Sequence, residues 1–479
     1  MKRGSITIYL TFMMSIMLTL VTLLVAGARD SVIRTKTECS MDAALYSVFA
    51  EYNRQLLERY DLLFIDTSYG NGQGTPANCA AHLKDYLNRN FRVKSGITTL
   101  NARDLLALSV VNTEITDFAL ATDDKGEVLV RQAADYVKTE YGLNSLERIR
   151  KNLQTAKDEG FLTMDVSARQ IDNQAQIDNM ELPKKQISEE EWEDIPLDNP
   201  ADAVNSARMV GILSFVLPEE NELSTQAVNL SNYVSKRNCP CGSGIGNRKA
   251  VTMADRILFD KYILQKADCY TTKDPDGLLR YQMEYVIGGQ SDDVGNLKKT
   301  VEKLLFIRQA ANMTYLFSDG AKIAEAEALA LSLTAVAAAP EFAEPVKISI
   351  LLAWAYAESV YDIRHLLSGG RIPLVKTAQS WHFGLQEMLR FREHLSDEQM
   401  KNETEQGLLY EDYLGILLLE TGYRDKVFRM MDLIEMDLRQ TVGNQNFRLD
   451  ACMDYVEAEA QVESRYGYGC EITRSYYYY

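Results

Sequence analysis

Proline is scarce in this chain, ten among 479 residues, and histidine is scarcer still at four. Little proline, with 46% hydrophobic and 25% charged residues, excludes disorder over most of the length. The four histidines, His82, His365, His382 and His394, include no H-E-x-x-H pair, so no zinc-protease motif is present. Positive charge is also in deficit. A net charge of -17 and a pI of about 4.9 remove the basic footprint of nucleic-acid binding and favour solubility. Seven cysteines, spread from Cys39 to Cys470, make no dense disulfide framework. Outside a membrane they leave room for one or two disulfides, with at least one thiol left over or paired between chains.

Motifs that carry chemistry are missing or incomplete. There is no Walker-type phosphate loop, and Gly242 and Gly244 are followed by Asn247 where a dinucleotide loop needs its third glycine. "CPCGSG", Cys239–Gly244, resembles the first half of a zinc knuckle. Tetrahedral zinc wants four ligands, yet no Cys or His follows locally and Cys269 is distant. A glycine turn with two ordinary thiols, or one in a disulfide, is the expected outcome. "TKDPDGLL" places Thr272 and Met283 where a calcium loop needs acids, and reads as a turn. Asp362 and His365 lie one turn apart on an expected helix, a spacing that orients an imidazole for acid–base work. Without a G-x-S-x-G elbow, they read as a surface pair. Asn229, Asn312 and Asn402 sit in N-x-[ST] sequons. No catalytic, cofactor-binding or metal-binding residue is assigned, and no cofactor is expected.

What is present begins at the first residues. Lys2 and Arg3 precede "GSITIYLTFMMSIMLTLVTLLVAGA", Gly4–Ala28. About 20 apolar residues span a hydrocarbon core of roughly 30 Å, whereas a signal-peptide core is about 7–15 residues. Length therefore favours a retained anchor, although Ala26-Gly27-Ala28 has the small residues of a cleavage site. Lys2 and Arg3 keep the short end cytoplasmic, Arg29, Arg34 and Lys36 oppose this weakly, and long domains translocate largely regardless of charge. "ALALSLTAVAAAP" and "ISILLAWAYAESV" are too short to span and read as core helices.

No Pro or Gly interrupts Ala28–Tyr69, and Ile33, Met41, Leu45, Val48, Tyr52, Leu56 and Tyr60 recur at helical spacings. One helix is therefore expected to run from the membrane to the short strand "DLLFIDTS". Further strands are expected in "LLALSVVNTEITDFALAT", "MVGILSFVLPEE" and "LLRYQMEYVIGG", where Tyr281, Met283, Tyr285 and Ile287 alternate with polar residues. Helices are expected over "CAAHLKDYLNRNF", from near Gly126 to Gly142, on to about Gln176, and in "TMADRILFDKYILQKADCYT". In "NFRLDACMDYV" the alternation changes phase after Tyr455, as a bulge near Tyr455–Val456 would cause. "CEITRSYYYY" reads as a last strand. The fold class is α+β: a membrane tip and span (1–28), a stem helix (29–61), and one extracytoplasmic domain (62–479) with an antiparallel sheet and a large helical layer. Within the domain lie an acidic linker (178–200), a mainly helical part (296–440) and C-terminal strands (445–479).

The anchor followed by an uninterrupted helix resembles the N-terminus of TadE/TadG-type proteins of bacterial Tad (Flp) pilus systems. That resemblance implies a pseudopilin-like, membrane-anchored, extracytoplasmic protein. The fifth residue after Gly4 is Tyr9, where pilins carry the Glu that accompanies prepilin-peptidase cleavage, so such processing is not expected. "FAEYNRQLLERYDLLFIDTSYG", "YQMEYVIGG", "ILLAWAYAESVYDIR" with "IPLVKTAQSW", and "LLYEDYLGILLLE" resemble a bacterial domain-of-unknown-function family with one N-terminal anchor. These resemblances imply a non-enzymatic structural or accessory protein of a Tad-like pilus or secretion apparatus. It would sit in the cell membrane as a single-pass protein with most of the chain outside. Its partners would be the lipid bilayer and other pilin-like subunits or pilus assembly proteins, with no nucleic acid. The alternatives are an anchored extracellular hydrolase using acidic residues and an envelope binding module.

Overall fold

A computed structural model of the chain opens on helix α1, Lys2–Phe49, which runs without a break through all 48 residues. The structure describes residues 2–92, 104, 106–141, 147–180, 184–186, 192–194, 211–217, 223–244, 246, 250–272, 277–336, 339–390 and 407–478. After α1 come α2 (Arg54–Tyr60), β1 (Ile65–Asp66), α3 (Pro76–Phe91), β2 (Leu108–Leu120) and α4 (Asp123–Tyr141). Then follow α5 (Glu147–Asp158), α6 (Val166–Asp178), β3 (Lys184–Gln186), β4 (Trp192–Asp194), α7 (Leu213–Val216), α8 (Met253–Lys266) and α9 (Gln282–Gly288). The helical series continues with α10 (Asp293–Ser318), α11 (Gly320–Val336), α12 (Ala343–Leu367), α13 (Leu385–Leu389), α14 (Tyr410–Glu420) and α15 (Tyr423–Arg439). Strands β5 (Cys452–Ser464) and β6 (Gly469–Tyr477) close the chain. The fold is α+β, and it divides into a first unit of residues 1–136, 236–255 and 431–479 and a second of 137–235 and 256–430.

The first unit is built on β5. Strand β2 pairs antiparallel along one edge of it, while β1 and β6 pair along the other. Val456, Ala458, Ala460 and Val462 of β5 are buried with Met41, Leu45, Val48 and Phe49 of α1 and Leu83 and Leu87 of α3. The expected phase change is a register shift: Ala119 and Leu120 are neighbours in β2 but oppose Tyr455 and Met453. The extra residue, Asp454, is buried and takes an ion pair from Arg131 Nη2 at 3.0 Å. The opposite face of the sheet is acidic, with Glu114 opposite Glu459 and Asp117 opposite Glu457. The final tyrosines alternate as a strand requires: Tyr476 and Tyr478 pack edge-on to Phe49, with ring centroids 4.6 and 4.8 Å away, while Tyr477 faces out.

Three expectations of local structure are corrected. Helix α1 stops at Phe49 rather than running on to Tyr60. The backbone of Tyr52 bridges to Ile65, and Asn53 N–H donates to Phe64 O at 3.0 Å. Asn53 then restarts the helix as the N-cap of α2, its side chain accepting from Leu56 N. Returning chain, not a breaker residue, ends α1, so nothing in the local sequence marks the break.

"LLRYQMEYVIGG" holds the helix α9, not a strand. All residues from Met283 to Gly288 are buried, so the polar positions do not mark a solvent face. Glu284 is enclosed and accepts from Tyr270 N at 2.9 Å and Tyr410 Oη at 2.7 Å. "MVGILSFVLPEE" contains the helical turn α7, where a strand was expected; residues 209–210 and 218–220 lie outside the described residues.

Burial raises the Glu284 carboxyl to about 7, the hydrogen bonds from Tyr270 and Tyr410 opposing that rise. A folded-state pKa above the ordinary 4.5 contributes stability that is complete below about 4.5 and lost as pH rises through about 7. Glu284→Gln should remove that slope. Urea denaturation of both proteins at pH 5 and pH 8 checks this: the variant should lose less stability between the two pH values than the wild type.

In the second unit α10 and α12 are the central pair, with α6, α9, α11 and α14 around them. From Ser349 to Leu367 only Tyr361 and Arg364 are part-exposed. "ISILLAWAYAESV" is thus a core helix, with Trp354 Nε1 donating to Phe383 O at 2.8 Å. Helix α11 is less enclosed, burying Ala326, Ala330 and Thr334. The acidic linker contains the short β3–β4 ladder; most of the rest of it lies outside the described residues.

Candidate functional site

Two features stand apart from ordinary packing: a set of charges inside the second unit, and the first half of α1. The charges arise because Glu358 and Asp362, four residues apart, share one face of the buried α12. Both are fully buried, where an unpaired carboxylate is very costly. Lys376 Nζ lies 2.5 Å from Glu358 Oε1 and 2.7 Å from Asp362 Oδ1, and donates to Ser380 O at 2.8 Å. Arg308 donates to Asp362 Oδ2 through Nε at 3.0 Å and Nη2 at 2.9 Å, and its Nη1 reaches the carbonyls of Pro373 and Leu374 and the Tyr413 hydroxyl. Asn312 Nδ2 donates to Ser359 Oγ and Asp362 Oδ2, both at 2.9 Å. Glu358 also accepts from the backbone N–H of His382 and Phe383, and His382 Nδ1 lies 3.3 Å from its Oε1. Burial would raise Glu358, but the Lys376 ammonium and the His382 contacts outweigh it and hold the carboxyl down at about 2.

The ligand atoms of Glu358, Asp362 and His382 lie within 4.8 Å of one another, as a metal site would require. The Lys376 ammonium stands between the two carboxylates, so the protein's own cation takes the position of an ion. With both carboxylates occupied, the cluster is built as a lock between α10, α12, α14 and the segment 372–383.

Of the sequence candidates, Asp362 and His365 are not the expected surface pair. Both are buried; Asp362 faces Arg308 and Lys376, and the pKa of His365 is lowered by burial and by His382. Asn312 belongs to the cluster, and a fully buried amide cannot serve as a glycan acceptor. Asn229 is exposed and caps a short turn. His394, Asn402 and residues 273–276 of "TKDPDGLL" lie outside the described residues. His82 is held by Glu51 at 2.9 Å and stacks on Tyr69. Sequence reading missed Arg308 and Lys376, and took Asn312 only as a sequon. The available signal was two acids one turn apart in an apolar helix, which demands buried partners somewhere in the chain.

The glycine loop of "CPCGSG" does cradle an anion, and that anion is Asp123. Gly242 N and Gly244 N donate to its two carboxylate oxygens at 2.9 and 3.2 Å, and Leu120 N adds a third bond at 2.8 Å. Ser243 ties the loop to Phe118 O through its N and Oγ. A Cβ at Gly242 would fall 2.6 Å from both Asp123 Oδ2 and Phe118 O. Gly242→Ala should therefore cost about 1–3 kcal/mol as an overpacking change, read as a lower thermal midpoint. None of the seven cysteines is joined in a disulfide. Burial pushes the thiols of Cys79 and Cys239 up to about 12 and 11, which keeps them protonated and poor nucleophiles.

The first half of α1 behaves differently from everything else. Its large apolar side chains from Ile6 to Val25 are 48–72% exposed, with a mean hydropathy of 2.3 over the most apolar stretch. Thr11, Thr19 and Thr22 turn their hydroxyls back onto carbonyls three or four residues earlier. That pattern suits a surrounding without water, where polar groups must be satisfied within the helix. By length and composition this segment fits a membrane span, and equally an N-terminal signal sequence.

Residues 190–464, more than half of the chain, match a family of unknown function. The chain belongs to DUF5702. The DUF5702 region holds the Glu358–Lys376–Asp362–Arg308 cluster, the Asp123-binding glycine loop and β5, and it begins beyond α1. No curated protein and no solved structure matches the chain.

Proposed function

We propose that this DUF5702 protein is a membrane-anchored structural or accessory subunit of a Tad/Flp-like pilus or secretion apparatus. Its N-terminus is cytoplasmic and its two units lie outside the membrane. The observation that carries this reading is the division of α1. Between Ile6 and Val25 its large apolar side chains are exposed, while Met41, Leu45, Val48 and Phe49 of the same helix are core residues of an antiparallel sheet unit. A helix that is half free and half packed on a sheet is what a pseudopilin-like stem needs: one part enters the bilayer or a bundle of similar stems, the other carries a folded head. The ion-paired state of Glu358 and Asp362 further supports a non-enzymatic role, because those carboxylates are committed to Lys376 and Arg308.

The experiment is a deletion strain complemented with the intact gene. Loss of surface filaments or of adhesion, restored by complementation, is expected; filaments assembled normally without the protein would overturn the proposal.

A further inference from the structure

Asn173 of α6 is only 6% exposed, and its Nδ2 donates to Pro345 O of α12 at 3.0 Å. A carbonyl can only accept, so that bond fixes which end of the amide is which. The other end, Oδ1, is buried and has no hydrogen-bond partner among the described residues. Buried side-chain polar atoms are satisfied in the large majority of cases, so this orphaned acceptor calls for a donor. Asn173 also lines a recess of about 220 Å³ between α6, α10 and α12. Met313 and Phe317 of α10 and Ile348 and Leu352 of α12 supply its apolar wall. Met313 and Leu352 are buried, whereas Phe317 is 43% exposed. Arg169 and Asp172, both exposed, line it from α6.

We infer that this recess binds a small neutral aromatic molecule with one hydrogen-bond donor, of the phenol or indole class, the donor meeting Asn173 Oδ1. Size sets the first limit. An apolar cavity of about 150 Å³ holds benzene, so this recess has room for one substituted ring or two fused ones. The wall sets the second. A methionine sulfur makes favourable contacts with aromatic edges, and a phenylalanine ring packs offset or edge-on against another ring. The polar groups set the third. Asn173 Nδ2 is already committed to Pro345 O, so the free end of the amide takes an O–H or N–H and gives nothing to an ether or ketone. Arg169 and Asp172 are opposite in sign, so the α6 side carries no net charge that would select an ion. The inference rests on the second unit alone and is independent of the role proposed for α1.

The test uses the full-length protein in detergent with isotope-labelled methionine methyl groups, read by NMR at Met313, whose signal is assigned through Met313→Leu. Reading at Met313 separates binding in the recess from uptake of the probe by the micelle. Indole is the probe. N-methylindole, the same rings without the N–H, and cyclohexanol, a donor without an aromatic ring, are the comparison ligands. The expected result is a saturable shift of the Met313 methyl signal with a Kd of about 1 mM, ordinary for so small a probe. N-methylindole should bind about tenfold more weakly, the worth of one hydrogen bond. Asn173→Leu is expected to bring indole and N-methylindole to the same affinity, with an unchanged circular dichroism spectrum. Should Asn173→Leu fail to fold, Ile348→Trp, at a half-buried position, fills the recess and is expected to abolish the shift. The inference is overturned if indole gives no saturable shift at Met313, or if N-methylindole or cyclohexanol binds as tightly as indole. It is also overturned if the preference for indole survives Asn173→Leu, or if the shift survives Ile348→Trp.

Discussion

Lys376→Met is expected to destabilise the helical unit by about 3–5 kcal/mol, because it leaves Glu358 and Asp362 buried without the ammonium that holds them. The two carboxylates would face each other across its place, with Arg308 as the remaining cation beside Asp362. The loss should be pH-dependent. In the wild type Glu358 is held at about 2, below its ordinary 4.5, so its contribution is present above about 4.5 and lost as pH falls through about 2. In the variant the carboxyl rises toward the range of a buried acid, and acidification should recover part of the loss by protonating it. Adding Glu358→Gln should recover stability at neutral pH, since the amide oxygen can still accept from His382 N and Phe383 N. Trp354 and Trp381 stand beside the cluster, their rings 5.9 Å apart, so tryptophan fluorescence during urea unfolding follows this region. A change below about 1 kcal/mol would mean that the lock does not carry the unit.

Removing residues 2–28 is expected to shift the protein from the membrane fraction to the soluble fraction while leaving its melting temperature nearly unchanged. The deleted apolar side chains bury nothing in the fold, and changes at such positions usually alter stability by less than about 0.5 kcal/mol. Extending the deletion to Phe49 should have the opposite effect on folding. Met41, Leu45, Val48 and Phe49 are at most 3% exposed, and even Leu45→Ala alone should cost about 2–5 kcal/mol. Membrane flotation and thermal unfolding of the two truncations separate the anchoring part of α1 from its packing part. Equal melting losses in both would contradict the division.

The long regular elements were legible in the sequence. The run Ile6–Val25, the helical spacing through Val48, the buried helix around Trp354 and the strands at the C-terminus each carry a periodic pattern sustained over many residues. The failures were short or depended on distant chain. Helix α9 is seven residues long, too short for its alternating pattern to tell a half-buried strand from a helix buried on all sides. The stop at Phe49 comes from β1 and Asn444 meeting Tyr52 and Asn53, which no local residue announces. The charge cluster was half visible. Glu358 and Asp362 are close in sequence, but Arg308 is 54 residues from Asp362, and only the fold brings it there. "CPCGSG" was read as a glycine turn with ordinary thiols, and nothing in the local sequence points to Asp123, 119 residues earlier, as the group its backbone holds.

The retained, membrane-spanning α1 is the central claim, and the intact mass of the protein extracted from cell membranes tests it most directly. The account predicts a chain that still contains Gly4–Ala28, recovered from membranes after alkaline carbonate washing. A chain starting after Ala28 and released by that wash would contradict it.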